Sequence, residues 1–381
     1  MKIKLCLIAF LFFSFGCNKE DDMKVEKDPN YVILEGDIGH WHSSTILSED
    51  GNIIVVGSQI VDTSHYMIIH KTSPIGKTIY SEILPFENIR SSSVCEDSKQ
   101  NIYIAGFTYS GITNMGRYIH VVKLDSEGKV LWGKSYLELG KISPETIDVL
   151  NDNEIVISGS KNSSGSLVFL KIDSLGQQIV FEDYDDVDQR YYGPNDLLVL
   201  TDGNFLSVGS RNENFELTWF DRNFNFLFYK SYGIGHWYGR SAIQLDNGDV
   251  VIVGKQTYIN PAGFIDSSKV KILKIDSKGQ LIWNKEGGNS RFSNDGQSIA
   301  VNQDGSFVVT GYGFELQKLN TEIDHMLSFF DKDGNEINTR YFDDKETTRG
   351  ENIVKTKDDR NVITGRHRDG TFFLNVDNFG N

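Results

Sequence analysis

Short apolar runs of four to seven residues, each closed by a glycine, recur through the chain and are separated by polar turn residues. The runs read DGNIIVVG (to Gly57), QNIYIAG (to Gly106), NEIVISG (to Gly159), GNFLSVG (to Gly209), GDVVIVG (to Gly254), GSFVVTG (to Gly311) and RNVITG (to Gly365). Runs of this length, rich in Val, Ile, Tyr and Phe and bounded by Gly, Asn and Asp, predict strands rather than helices. Each repeat holds four such segments. In the second copy they are Ser92 to Glu96, Asn101 to Thr108, Tyr118 to Leu124 and Lys129 to Ser135. Between the third and fourth sits a hairpin signal, Asp125-Ser126-Glu127-Gly128 here and Asp276-Ser277-Lys278-Gly279 in the fifth copy, where glycine supplies the positive φ that the turn needs.

Successive repeat glycines lie 49, 53, 50, 45, 57 and 54 residues apart, the length of a four-stranded propeller blade and too long for a coil of a β-helix. The expectation is an all-β chain, a seven-bladed β-propeller of four-stranded antiparallel blades. The seventh copy stops just after its hairpin, one strand short, while Tyr31 to Gly36 reads as an outer strand with no earlier strands before it. An N-terminal strand completing the last blade would close the ring and leave no open sheet edge.

The repeat also places the interior. Four residues past the hairpin position come Tyr80, Trp132, Val180, Phe228 and Trp283, expected between blades. The first small polar residue of each innermost strand, Ser44, Ser93, Thr146, Asp196, Ser241, Ser298 and Asn352, is expected to line the central channel. The residues that follow, Thr45, Val94, Ile147, Leu197, Ala242, Ile299 and Ile353, fit the inter-blade core.

The Asp-x-x-Gly hairpin with a later tryptophan resembles the blade signature of quinoprotein-type propellers, and the aspartate turn is similar to the Asp-box of sialidases. The shared residues build blades, so the resemblance implies a fold and carries no activity.

Residues 1–16 divide the chain differently. Met1 to Lys4 is basic, Leu5 to Phe15 is almost wholly apolar, and Gly16-Cys17 follows, a pattern too short for a mature bilayer span. It resembles a bacterial lipoprotein signal peptide, which implies cleavage before Cys17 and acylation of that cysteine, palmitate included. Asn18 to Asp22, followed by a polar tether to residue 30, resembles the acidic export tags of surface lipoproteins in some Gram-negative bacteria. The expected organisation is therefore signal peptide 1–16, lipidated Cys17 with tether 17–30, and propeller 31–381. The implied address is the outer membrane, lipid-anchored at the cell surface, with a periplasm-facing position as the alternative.

Charge and cysteine content narrow the function. The formal charge is −15, which argues against nucleic acid as a partner. Three cysteines, two of them Cys6 and Cys17, exclude a disulfide framework and leave Cys95 as a buried apolar residue. Phosphate loops, zinc-spacing motifs and a serine nucleophile elbow are absent from the sequence, so no catalytic residue, metal site or cofactor is expected. The aspartates Asp50, Asp202 and Asp304 read as turn residues.

The loops running from each outer strand to the next inner strand share the face around the channel mouth, and there the sequence places Gly39-His40-Trp41-His42 and Gly235-His236-Trp237-Tyr238. With Arg90, Tyr191, Tyr192, Arg240, Arg291 and Arg349 they form a candidate rim of aromatic and cationic residues suited to stacking on sugar rings or gripping a carboxylate. Trp41 and Trp237 are expected to be at least partly exposed. The expected function is a monomeric binding or scaffold module holding a glycan, peptide or partner protein at this face; the alternative is a hydrolase or lyase of extracellular polysaccharide.

Overall fold

The structure is a computed structural model and describes residues 31–35, 41–108, 117–161, 165–184, 191–211, 214–233, 236–261, 265–316, 323–342, 347–368, 370–378 and 380. The expected signal peptide, Cys17 and the expected tether lie outside the described residues. Among those described, twenty-eight strands form seven four-stranded sheets, and the only helical turn is the 3-10 segment Leu137–Leu139. No helix among them is long and apolar enough to cross a membrane.

Six of the sheets are antiparallel meanders of four consecutive strands. Blade 1 runs through Trp41–Leu47, Ile53–Val61, Ser64–Thr72 and Thr78–Ile83, and blade 2 through Ile89–Glu96, Ile102–Thr108, Ile119–Leu124 and Val130–Ser135. Blades 3, 4, 5 and 6 begin at Ile142, Tyr191, Trp237 and Phe292. Blade 7 takes three strands from the C-terminus, Arg349–Lys355, Asn361–His367 and Gly370–Val376, and its fourth from the N-terminus. Tyr31 pairs with Leu374 and Glu35 with Gly370, antiparallel throughout. The expected closure of the ring is thus present, and the first and last strands of the described chain share one sheet.

The core lies between neighbouring blades. All seven residues expected there, Thr45, Val94, Ile147, Leu197, Ala242, Ile299 and Ile353, are at least nine-tenths buried. Tyr80, Trp132, Val180 and Trp283 pack at the edges of these clusters. Phe228 departs from the expectation: it is exposed and stacks on Trp219 at 4.6 Å, and Trp219 takes the buried place.

The aromatic positions and the hairpin glycines explain each other. A Cβ on Gly128 would stand 2.7 Å from Tyr80 of the preceding blade, one on Gly176 3.0 Å from Trp132, and one on Gly334 2.7 Å from Trp283. The glycine leaves room for the neighbour's ring while holding a positive φ of +82, +74 and +77 at the three positions. The hairpin aspartates hold their own turns: Asp125 Oδ1 accepts from the N–H groups of Glu127 and Lys129, and Asp276 Oδ1 from those of Lys278 and Gln280. Asp50, Asp202 and Asp304 likewise accept from the backbone two residues on.

Candidate functional site

The first small polar residue of every inner strand faces the channel, as the repeat predicts. All seven, from Ser44 to Asn352, line a cavity of about 510 Å³ in which only Phe107 and Pro144 are apolar among the lining residues. Several also bond across blades. Asn352 Oδ1 accepts from Thr45 N–H at 3.1 Å, Ser298 Oγ from Ile353 N–H at 3.4 Å, and Asp196 Oδ2 from Ala242 N–H at 2.9 Å. The ring is therefore partly a girdle that joins one inner strand to the next.

Immediately before this ring the pairing slips in every blade. The register jumps between His42 and Ser44, Ser91 and Ser93, Pro144 and Thr146, Tyr192 and Asp196, Gly239 and Ser241, Gly296 and Ser298, and Gly350 and Asn352. A β-bulge re-aims the side chain it carries. Here the bulge residues Ser92, Glu145, Asn195, Arg240, Gln297 and Glu351 join the cavity lining. Sequence reasoning finds the ring at Ser44 and its equivalents but misses this second one.

The repeat glycine was the available signal. Gly106, Gly159, Gly254, Gly311 and Gly365 each stand opposite the bulge, and a Cβ on them would fall between 1.9 and 2.4 Å from the carbonyl oxygen of Arg90, Ser143, Tyr238, Asp295 or Arg349. The glycine that marks the repeat thus leaves room for the carbonyl two residues before the bulge residue.

The charged lining residues differ in how they are held. Arg240 reaches Asp295 at 3.3 Å, where Lys255 Nζ stands at 3.0 Å and Tyr312 donates at 3.1 Å. Arg366 pairs with Glu351 at 2.7 Å. Arg90 turns Nε and Nη2 to the ring of the buried His65, at 3.4 and 3.1 Å, and burial followed by the Arg90 charge holds that imidazole below its ordinary range. Arg117 donates to Ser143 Oγ at 3.3 Å and lies over Phe107 with its guanidinium carbon 4.7 Å from the ring centroid.

Two carboxyls in this cavity hold protons unusually well. Channel solvent reaches Glu145, yet the surrounding protein desolvates its carboxyl enough to push it up to about 7, against the pull of Arg117. Desolvation likewise raises Asp196 to about 6, against the N–H groups of Ala242 and Leu197. The buried atoms Ser92 Oγ, Arg240 Nε and Gln297 Nε2 have no hydrogen-bond partner among the described residues. All three belong to bulge residues.

The expected exposure of Trp237 in the aromatic rim is corrected. Trp237 is 1% exposed and stacks on Phe215 at 4.4 Å, so it wedges blades 4 and 5 together and presents nothing to a ligand. Its neighbour Tyr238 is half-buried beneath Lys255, and His236 is half-buried at a positive φ of 48. Arg291 stands outside the cavity lining in an ion pair with Glu315, and Arg349 lies over Tyr312 at 4.9 Å. Arg90 and Arg240 do line the mouth. His40 lies outside the described residues, and Trp41, His42, Tyr191 and Tyr192 are described as strand backbone only.

No protein-family model matches the sequence, and no curated protein matches it either. Solved structures do. The chain is similar to the structure described as YCF48 bound to D1 peptide, with a TM-score of 0.56 and 11% identity over 93% of this chain and 96% of that one. It is also similar to Sqt1 of Chaetomium thermophilum, with a TM-score of 0.52 and 10% identity over 90% and 98% of the two chains. At these identities the likeness speaks for the fold alone. It agrees with the seven-bladed ring.

Proposed function

We propose that this chain is a recognition module of the cell envelope, anchored in the outer membrane through acylated Cys17, that holds a glycan, peptide or partner protein in the mouth of its propeller channel. The observation that carries this reading is the cavity of about 510 Å³ whose wall is built from hydroxyls, amides and charges, three of them with buried atoms that find no partner among the described residues. A wall of this composition suits a polar ligand, and the volume falls in the range of small-ligand sites. That a propeller of similar architecture has been captured with a D1 peptide supports including peptides among the classes to screen.

One observation favours the enzymatic alternative. Glu145, with its carboxyl pushed up to about 7, has the protonation that a general acid at neutral pH requires. The partner that such chemistry needs is harder to assign, because Asp196 spends its oxygens on two backbone N–H groups and Glu351 is paired with Arg366.

A glycan and peptide array probed with the purified chain, followed by product analysis on every hit, tests both readings. Capture without new reducing ends or unsaturated products, lost on Arg240→Ala, is the expected result. Turnover abolished by Glu145→Gln would replace recognition with catalysis, and no capture of any class would overturn both.

A further inference from the structure

We propose that the quadrant of the mouth between blades 2 and 3 is a carboxylate subsite for an acidic sugar, with Arg117 gripping the carboxylate beside Arg90 and the hydroxyl of Ser92. This deepens the recognition reading and rests on it.

The grip rests on Arg117. Its backbone is fixed to the neighbouring blade, since Ile142 N–H donates to Arg117 O at 2.7 Å. Its guanidinium is laid over Phe107, and its only side-chain hydrogen bond among the described residues goes from Nη1 to the neutral Ser143. Among the described residues it makes no ion pair, and the sequence from 109 to 116 contains no acid. A planar fork held against a ring by one bond keeps its remaining N–H groups in the geometry that takes a carboxylate through two oxygens. The other cavity arginines differ: Arg240 faces Asp295 and Arg366 faces Glu351.

Around Arg117 the wall continues in the same chemistry. Ser92, on the bulge of blade 2, carries a buried hydroxyl oxygen with no partner among the described residues, and Ser91, Ser93 and Ser143 line the same side. Arg90 lines the same side and adds a second guanidinium to the wall. The acid that feels Arg117 is Glu145, whose carboxyl is largely protonated below about 7 and then repels an arriving anion little.

A sugar fits this wall better than a peptide. The quadrant offers hydroxyls and N–H donors but only Phe107 and Pro144 as apolar side chains, and Phe107 is covered by Arg117. An acidic peptide would bring side chains and amides that find few partners here, whereas a uronic acid brings one carboxylate and several hydroxyls.

The test is ligand-observed NMR and titration calorimetry of the full chain with D-galacturonate, D-galactose and an acetylated Asp-Glu dipeptide. Galacturonate should bind roughly tenfold or more tightly than galactose, and Arg117→Gln should abolish that preference. Arg117→Lys should restore part of it, and Arg291→Gln should change nothing. Thermal melts of each variant establish that the ring remains folded. Equal binding of galacturonate and galactose, or a preference indifferent to Arg117→Gln, overturns the subsite while leaving recognition at the mouth intact. Preference for the dipeptide over galacturonate overturns the assignment to a sugar.

Discussion

Deleting residues 31–36 should destabilise the entire ring. The strand Tyr31–Glu35 contributes five paired residues to blade 7, which corresponds to about five ladder hydrogen bonds at about 1 kcal/mol each. Leu34 is 3% exposed and packs with Ile53, Val55, Val362 and Phe373, so losing it costs about 2 to 4 kcal/mol once the vacated space is counted. Val32 adds about 1 kcal/mol, because with Phe373 it seats the hairpin of blade 1 at Gly76. The sum, about 8 to 10 kcal/mol, is comparable to the whole stability of a typical domain, about 5 to 15 kcal/mol. The deletion also opens the edge of Gly370–Val376, which carries the buried Phe372 and Phe373. Urea unfolding followed by tryptophan fluorescence, with size-exclusion chromatography beside it, should show a midpoint lowered by about 2 M or a chain that aggregates. Deleting residues 18–28 should leave the midpoint in place. A 31–36 deletion that unfolds at the parent midpoint would refute the reasoning, since the N-terminal strand would then contribute nothing to the ring.

Three further outcomes are expected. Trp237→Ala should lower stability by about 3 to 5 kcal/mol in chemical denaturation, because it empties a space stacked on Phe215; a silent substitution would return Trp237 to the rim. Glu145 is an acid whose pKa is raised on folding, from 4.5 to about 7, so the native state holds the extra proton between those values and stability falls as pH rises through that window. The melting temperature of Glu145→Gln relative to the parent should therefore rise from pH 5 to pH 8, and a difference flat across that range would show that the protein does not perturb the carboxyl. Cys17→Ser should move the protein from the membrane fraction to the soluble one and abolish palmitate labelling; label retained on the variant would refute the lipid anchor.

The fold was legible because its signals are local and repeated seven times. Alternating apolar runs, hairpin aspartates and spacing near fifty residues each follow from short-range chemistry, and the ring of Ser44, Ser93 and their equivalents follows from their place next to buried Thr45 and Val94. Trp237 misled because its Gly-His-Trp setting reads as loop, whereas the strand starts at the tryptophan itself and turns the indole onto Phe215. The bulge ring was hidden for a related reason. A slip in pairing belongs to two strands at once, and alternation within one strand assigns Glu145 and Thr146, or Arg240 and Ser241, to opposite faces although both reach the channel. Yet the sequence did record that slip in the glycine by which the repeat is recognised, since any side chain at Gly254 would strike the carbonyl of Tyr238. The bulge residue is polar in all seven copies, at Ser43, Ser92, Glu145, Asn195, Arg240, Gln297 and Glu351, but its identity differs from blade to blade. The glycine is held to one residue type by backbone contact and so marks the scaffold. The bulge residue, under no such contact, is the position at which one ring can be given an asymmetric, ligand-specific wall without altering any blade.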